Sequence, residues 1–163
     1  MNFEDVPAHA RRSLRPIVDK SFTGLYRWHA RRTLQSVACV RKATANNAPV
    51  GLTMSTMVGS GIGYIYYAAL IPALRARGVG GALLDDALQA LRAKGARKIL
   101  ACARTRNQPA IRLLLSRNFV RTSFRELAWA KGFVEAARLW VRMFVAPGER
   151  VYMGDFSGQP LFK

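Results

Sequence analysis

The sequence predicts an α/β (α+β) fold in which a mixed sheet is flanked by helices, and three observations carry that prediction. Strand-like alternation and aromatic or β-branched runs fill the region from about Ser36 to Ile71. After Pro72 the apolar period changes to an i, i+3/i+4 stripe, and strand and helix patterns then alternate as far as Phe124. A strand meander followed by strand-helix-strand-helix-strand is the order of a mixed sheet covered by helices. The length, 163 residues, is that of one compact domain, expected here to run over residues 1–163.

The elements follow from local signals. Leu14, Ile17, Val18 and Phe22 lie at helical spacing in Pro7–Phe22, and Leu25 and Trp28 continue the stripe in a second helical segment. Ser36–Lys42 reads as a strand, and Ala45-Asn46-Asn47-Ala48-Pro49 turns the chain into a second one, Val50–Met57. Gly59-Ser60-Gly61 is the next turn, and Gly63–Ile71, with Tyr64-Ile65-Tyr66-Tyr67, is the most strongly marked strand. Leu83, Leu84, Ala87, Leu88 and Leu91 form a helical stripe that Gly95 stops. Ile99–Ala103 is a short strand, and Asn107-Gln108-Pro109 opens a helix carrying Ala110, Leu113 and Leu114. Asn118 suits a left-handed stop before a strand at Phe119–Phe124. Ala128–Val145 predicts one C-terminal amphipathic helix whose Trp129, Phe133, Ala136, Ala137, Trp140, Met143 and Phe144 face the core. A last strand is expected from Arg150 to Phe156.

Composition excludes several classes. Half the residues are hydrophobic and 21 % are charged, which separates this chain from disordered polyions despite its net charge of +17. No apolar run is long enough to span a bilayer, and acids precede any apolar segment at the start, unlike a secretory signal. Cys39 and Cys102 make neither a disulfide framework nor a metal site. The expectation is a cytoplasmic domain with free thiols and no metal.

The charge itself is uneven. Arg accounts for 20 of the 26 basic residues, and there is no carboxylate between Asp19 and Asp85 or between Asp86 and Glu126. The guanidinium fork suits phosphates and carboxylates. Polyanionic partners are therefore expected.

The most informative segment is Pro72-Ala73-Leu74-Arg75-Ala76-Arg77-Gly78-Val79-Gly80-Gly81, where a strand ends and a helix begins across a glycine-rich turn. Such a turn presents unpaired N–H groups at a helix start, where the dipole favours an anion. Arg75 and Arg77 add positive charge beside it. The reading is a pyrophosphate cradle. It is neither a G-x-x-x-x-G-K-[ST] loop nor a dinucleotide fingerprint, because Leu83 stands three residues beyond Gly80.

Arg75-x-x-Gly78-x-Gly80 after an aromatic strand, then Asn107-x-x-Ala110-x-x-Leu113 and Asn118-Phe119, resembles the GNAT superfamily of acyl-CoA-dependent N-acetyltransferases over most of Pro49–Ser123. The resemblance implies a mixed, mostly antiparallel GNAT-type sheet of six to seven strands. It implies acetyl-CoA as co-substrate, with the coenzyme A pyrophosphate on the backbone amides of Arg77, Gly78, Val79, Gly80 and Gly81. Ala68, Ala69 and Leu70 would pair with the pantetheine arm through their backbones, and Asn107 would contact that arm. Asn107 also suits the cap of the helix at Pro109, and the two roles are compatible.

An N-acetyltransferase must take a proton from an ammonium, stabilise an oxyanion and assist a departing thiolate. The family's usual carboxylate positions hold Tyr64 and Cys102 here, and its usual tyrosine position is Leu114. Three routes stand open: water held by Tyr64 or Tyr66, which strand alternation puts on one face; another base, with His29, Glu4 and Asp5 as candidates; or a domain that binds acyl-CoA with little transfer. The first is favoured.

The resemblance implies a primary-amine acceptor, and the positive charge suggests an acidic one, small molecule or protein. A basic nucleic-acid- or ribosome-associated module is the alternative function, and docking of the C-terminal helix on an anionic membrane is a third reading. A homodimer is compatible with all three. Arg75 and Arg77 have a local partner in the coenzyme phosphates, whereas Arg11, Arg12, Arg31, Arg32 and the Arg104–Arg125 series have none at this level.

Overall fold

The computed structural model describes residues 1–158, so the last five residues of the expected 1–163 domain lie outside the described residues. It contains seven strands: β1 (Asn2–Asp5), β2 (Cys39–Ala45), β3 (Ala48–Gly59), β4 (Ile62–Leu70), β5 (Lys98–Arg104), β6 (Phe119–Thr122) and β7 (Glu149–Asp155). Six helices accompany them: α1 (Arg15–Ser21), α2 (Gly24–Ser36), α3 (Val79–Ala93), α4 (Gln108–Leu115), α5 (Phe124–Lys131) and α6 (Phe133–Met143). The strands make one mostly antiparallel sheet, as expected. The chain divides into two compact units, Met1–Thr56 with Ile65–Ala90, and Met57–Tyr64 with Leu91 onward.

In the first unit β1 pairs antiparallel with β2, and β2 with β3. The β2–β3 hairpin turns on Asn46 and Asn47, at φ 50° and 59°. Two successive left-handed residues match the right-handed twist of a hairpin, and asparagine tolerates them. Leu14, Val18, Ala30, Leu34, Leu52 and Met54 are sealed from solvent and form the core under α1 and α2. Arg11, itself buried, donates to the carbonyls of Val6 (3.3 Å) and Val37 (2.6 Å) and to that of Leu34 in the last turn of α2. Carbonyls at a helix end have no partner within the helix, so this arginine is a structural cap, and its charge is not available to a partner. Arg41 holds Asp86 with two hydrogen bonds, 2.5 and 2.8 Å, in a largely buried fork.

In the second unit β7 lies between β5 and β6, antiparallel to both. Leu91, Ile99, Leu100, Phe119, Leu139 and Met143 are its most deeply buried large side chains.

Two sequence expectations are corrected. β1 was not anticipated; it is a four-residue edge strand of mostly exposed polar side chains, with no alternation to betray it. The single helix at 128–145 is two helices. Ser123 and Glu126 form a capping box, each side chain reaching the other's backbone N–H, so α5 begins at Phe124, inside the span predicted as strand. Gly132 then breaks the chain at φ 84° and ψ 151°, a conformation open essentially to glycine alone. The predicted core face is divided accordingly: Ala136 and Met143 are buried, whereas Trp129 is 92 % exposed and Phe133 and Phe144 are also exposed.

Candidate functional site

The glycine-rich turn lies wholly in the first unit. Pro72–Leu74 forms one 3-10 turn after β4, closed by Arg75 N–H to the Pro72 carbonyl at 3.1 Å. Ala76 and Gly78 then take left-handed conformations, φ 59° and 77°. These two reversals aim the chain into α3 at Val79. Gly81 N–H donates back to the Gly78 carbonyl at 2.9 Å. The N–H groups of Val79 and Gly80, in the first turn of the helix, have no partner within it. An added Cβ at Gly78 would meet nothing within 4 Å. Glycine is therefore there for its φ, and the space over the turn is open.

Arg75 and Arg77 are exposed on this turn, and Arg75 Nε also lies 3.4 Å from the Leu70 carbonyl. The turn thus combines helix-start amides, positive φ and two guanidiniums, the composition of an anion site. A diphosphate fits it chemically. Just before it, Ala68 is exposed, Ala69 is buried and Leu70 is half-buried. The ladder continues past them as Ile71 N–H donates to the Val50 carbonyl at 2.9 Å.

Also in the first unit, α2 and β4 bring four polar side chains together. His29 Nδ1 is 2.7 Å from the Tyr67 hydroxyl and 3.3 Å from Thr33 Oγ1. The His29 ring lies 6.5 Å from that of Tyr66 and 5.8 Å from that of Tyr67. Burial, and secondarily the Arg32 charge, hold the His29 pKa below its ordinary 6.5. The neutral ring is a base.

The two tyrosines put forward for catalysis stand two residues apart on β4 but have different surroundings. Tyr64 belongs to the second unit, is 2 % exposed, and donates its hydroxyl to the Met143 carbonyl at 2.9 Å, at the end of α6. Tyr66 belongs to the first unit and packs, half-buried, against its core. Cys102 is also in the second unit, and burial pushes its thiol up to about 12, with its contact to the Tyr64 side chain acting in the opposite direction and less strongly. The acids Glu4 and Asp5 sit on the edge strand in ion pairs with Lys42 (3.0 Å) and Arg41 (3.1 Å). Leu114, at the family's tyrosine position, is buried. Asn107 caps α4, its Oδ1 accepting from Ala110 N–H at 3.3 Å. Sequence alone offers His29 as one base among others; its pairing with Tyr67 has no signal in spacing, since the residues are 38 positions apart.

The family model for the acetyltransferase (GNAT) family matches residues 5–119, well over half of the chain. The chain belongs to the GNAT acetyltransferase family. The sequence matches no curated protein at a significant level. Among solved structures, the GNAT chain is similar to the IAA acetyltransferase of Bacillus cereus, with a TM-score of 0.71 at 13 % identity over 94 % of this chain and 98 % of that one. It is also similar to the ribosomal-protein-S18-alanine N-acetyltransferase of Escherichia coli, with a TM-score of 0.70 at 14 % identity over 99 % of each chain. The PaiA N-acetyltransferase of Thermoplasma acidophilum, solved with coenzyme A, gives a TM-score of 0.67 at 11 % identity over 95 % of this chain and 99 % of that one. At these identities the likeness is one of fold. Among the described residues no group of His, Cys, Asp and Glu could hold a metal ion, and no helix is long and apolar enough to cross a membrane.

Proposed function

We propose that this GNAT protein is an acetyl-CoA-dependent N-acetyltransferase acting on a primary amine. One observation carries the reading: Arg75–Gly78 is an exposed turn with two guanidiniums, leading into the start of α3 in a chain of this family, and this supports an anion cradle there. The coenzyme, as co-substrate, supplies an acetyl group activated as a thioester. The amides of Arg77, Gly78, Val79 and Gly80 hold its pyrophosphate, with Arg75 and Arg77 neutralising charge, whereas the Gly81 amide, expected to join them, is buried and already bonded to the Gly78 carbonyl; the backbone of Ala68–Leu70 aligns the arm.

The chain's own contribution to the chemistry is then positioning and proton removal. The acceptor enters as an ammonium and attacks only after losing a proton. In the first unit the neutral His29 is the group able to take it, directly or through water held beside Tyr66 and the Tyr67 hydroxyl. Tyr64, bonded to the end of α6, serves as framework in this reading. As the acetyl group moves from sulfur to nitrogen, the N–S exchange is completed by the nitrogen's second proton, which passes through water to the departing thiolate.

The test is acceptor-dependent thiol release from acetyl-CoA over a panel of amines, small and peptidic, with the acetylated product confirmed by mass. Saturable release with at least one acceptor is expected. Tight coenzyme binding with no release on any acceptor would instead support an acyl-CoA-binding module.

A further inference from the structure

The first unit carries a second basic feature that the coenzyme reading does not use. Arg12, Arg15, Arg31 and Arg32 line an open basin of about 640 Å³ together with Trp28 and Gln35. Arg31 is neutralised by Asp19 through two hydrogen bonds of 2.6 and 2.7 Å. Arg12, Arg15 and Arg32 make no ion pair among the described residues, so the basin holds an excess of three positive charges. The sequence offers no carboxylate between Asp19 and Asp85 to balance them. Trp28 is 56 % exposed, with the Arg32 guanidinium 5.8 Å over its ring.

The geometry points to a binding site for single-stranded nucleic acid, with phosphates on Arg12, Arg15 and Arg32 and one base stacked at Trp28. Guanidinium forks match phosphate or carboxylate equally, so the tryptophan decides between them. An acidic peptide gains little from a large exposed indole, whereas a base stacks on it whatever its identity. The basin has room for a nucleotide with its flanking phosphates. The net charge of +17 supplies long-range attraction for a strand. The site is independent of acetyl transfer, and its test needs no activity.

The probe is a fluorescein-labelled twelve-residue oligouridylate, followed by anisotropy between 50 and 300 mM salt (on the order used for counterion analysis). Wild type should bind with strong salt dependence. Arg12→Ser/Arg15→Ser/Arg32→Ser should lower the slope of log K against log salt by about 2, at roughly 0.7 for each phosphate no longer neutralised. Trp28→Ala should weaken binding about fivefold or more. Arg112→Ser/Arg121→Ser/Arg125→Ser removes equal exposed charge in the second unit and should do much less. Circular dichroism checks that each variant is folded. Equal losses in the two triple variants would reduce the effect to bulk charge and overturn the site. Equal competition by polyglutamate would assign an acidic peptide instead, and equal binding of uridine monophosphate a free nucleotide; either overturns the proposal, as does no binding by wild type.

Discussion

Replacing Tyr64 by Phe separates framework from chemistry. Tyr64 is 2 % exposed and Met143 1 %, so the hydroxyl and the carbonyl it bonds at 2.9 Å are both shut away from water. Met143 ends α6, where the carbonyl has no partner within the helix. Phe keeps the ring and its packing while leaving that buried acceptor unpaired, a loss of about 1–3 kcal/mol. For a chain of this length each kcal/mol lowers Tm by about 2–4 °C. Urea denaturation should show a lower midpoint with the slope unchanged. Acetyl transfer by the variant, measured below its unfolding temperature, should retain the kcat of wild type. An unchanged midpoint with kcat reduced about a hundredfold or more, the scale of a lost general acid or base, would refute the reasoning and assign Tyr64 to the reaction.

Two further outcomes are expected. His29 should titrate below 6.5 by NMR; because the unfolded chain then binds the proton at a higher pH than the folded one, stability should fall as pH drops from 6.5 through the folded value. His29→Gln should flatten that dependence, and titration above 6.5 would contradict the burial argument. Gly132→Ala should cost about 1–3 kcal/mol in urea, from backbone strain alone, since nothing lies within 4 Å of an added Cβ; a neutral effect would mean that the α5–α6 break does not need its glycine.

The strands from β2 to β5, and α3 and α4, were legible because their signals are local: alternation, a helical stripe, Gly95 as a stop, Asn107 with Pro109 as a start. Asn118 does adopt the left-handed conformation expected of it, φ 59°. The C-terminal region was misread although it carried its own punctuation. Ser123-x-x-Glu126 is a helix-start signature and Gly132 a break, but the continuous apolar periodicity on either side outweighed both. The turn between β4 and α3 was legible because its glycines announce it. The His29–Tyr67 pair and the capping role of Arg11 were not, because they depend on which distant elements meet. The surplus charge is likewise re-sorted by the fold: Arg11 is committed to carbonyls and Arg31 to Asp19, whereas Arg12, Arg15 and Arg32 remain for a ligand.

The central claim is that the Arg75–Gly81 turn binds the coenzyme's phosphates, and titration calorimetry with coenzyme A against wild type and Gly80→Glu tests it directly. A carboxylate in the first turn of α3 suits the helix dipole, so the variant should remain folded. It also sets like charge against the pyrophosphate. Saturable binding by wild type and a loss of about a hundredfold or more in the variant are predicted. Equal affinity in the two folded proteins would contradict the account.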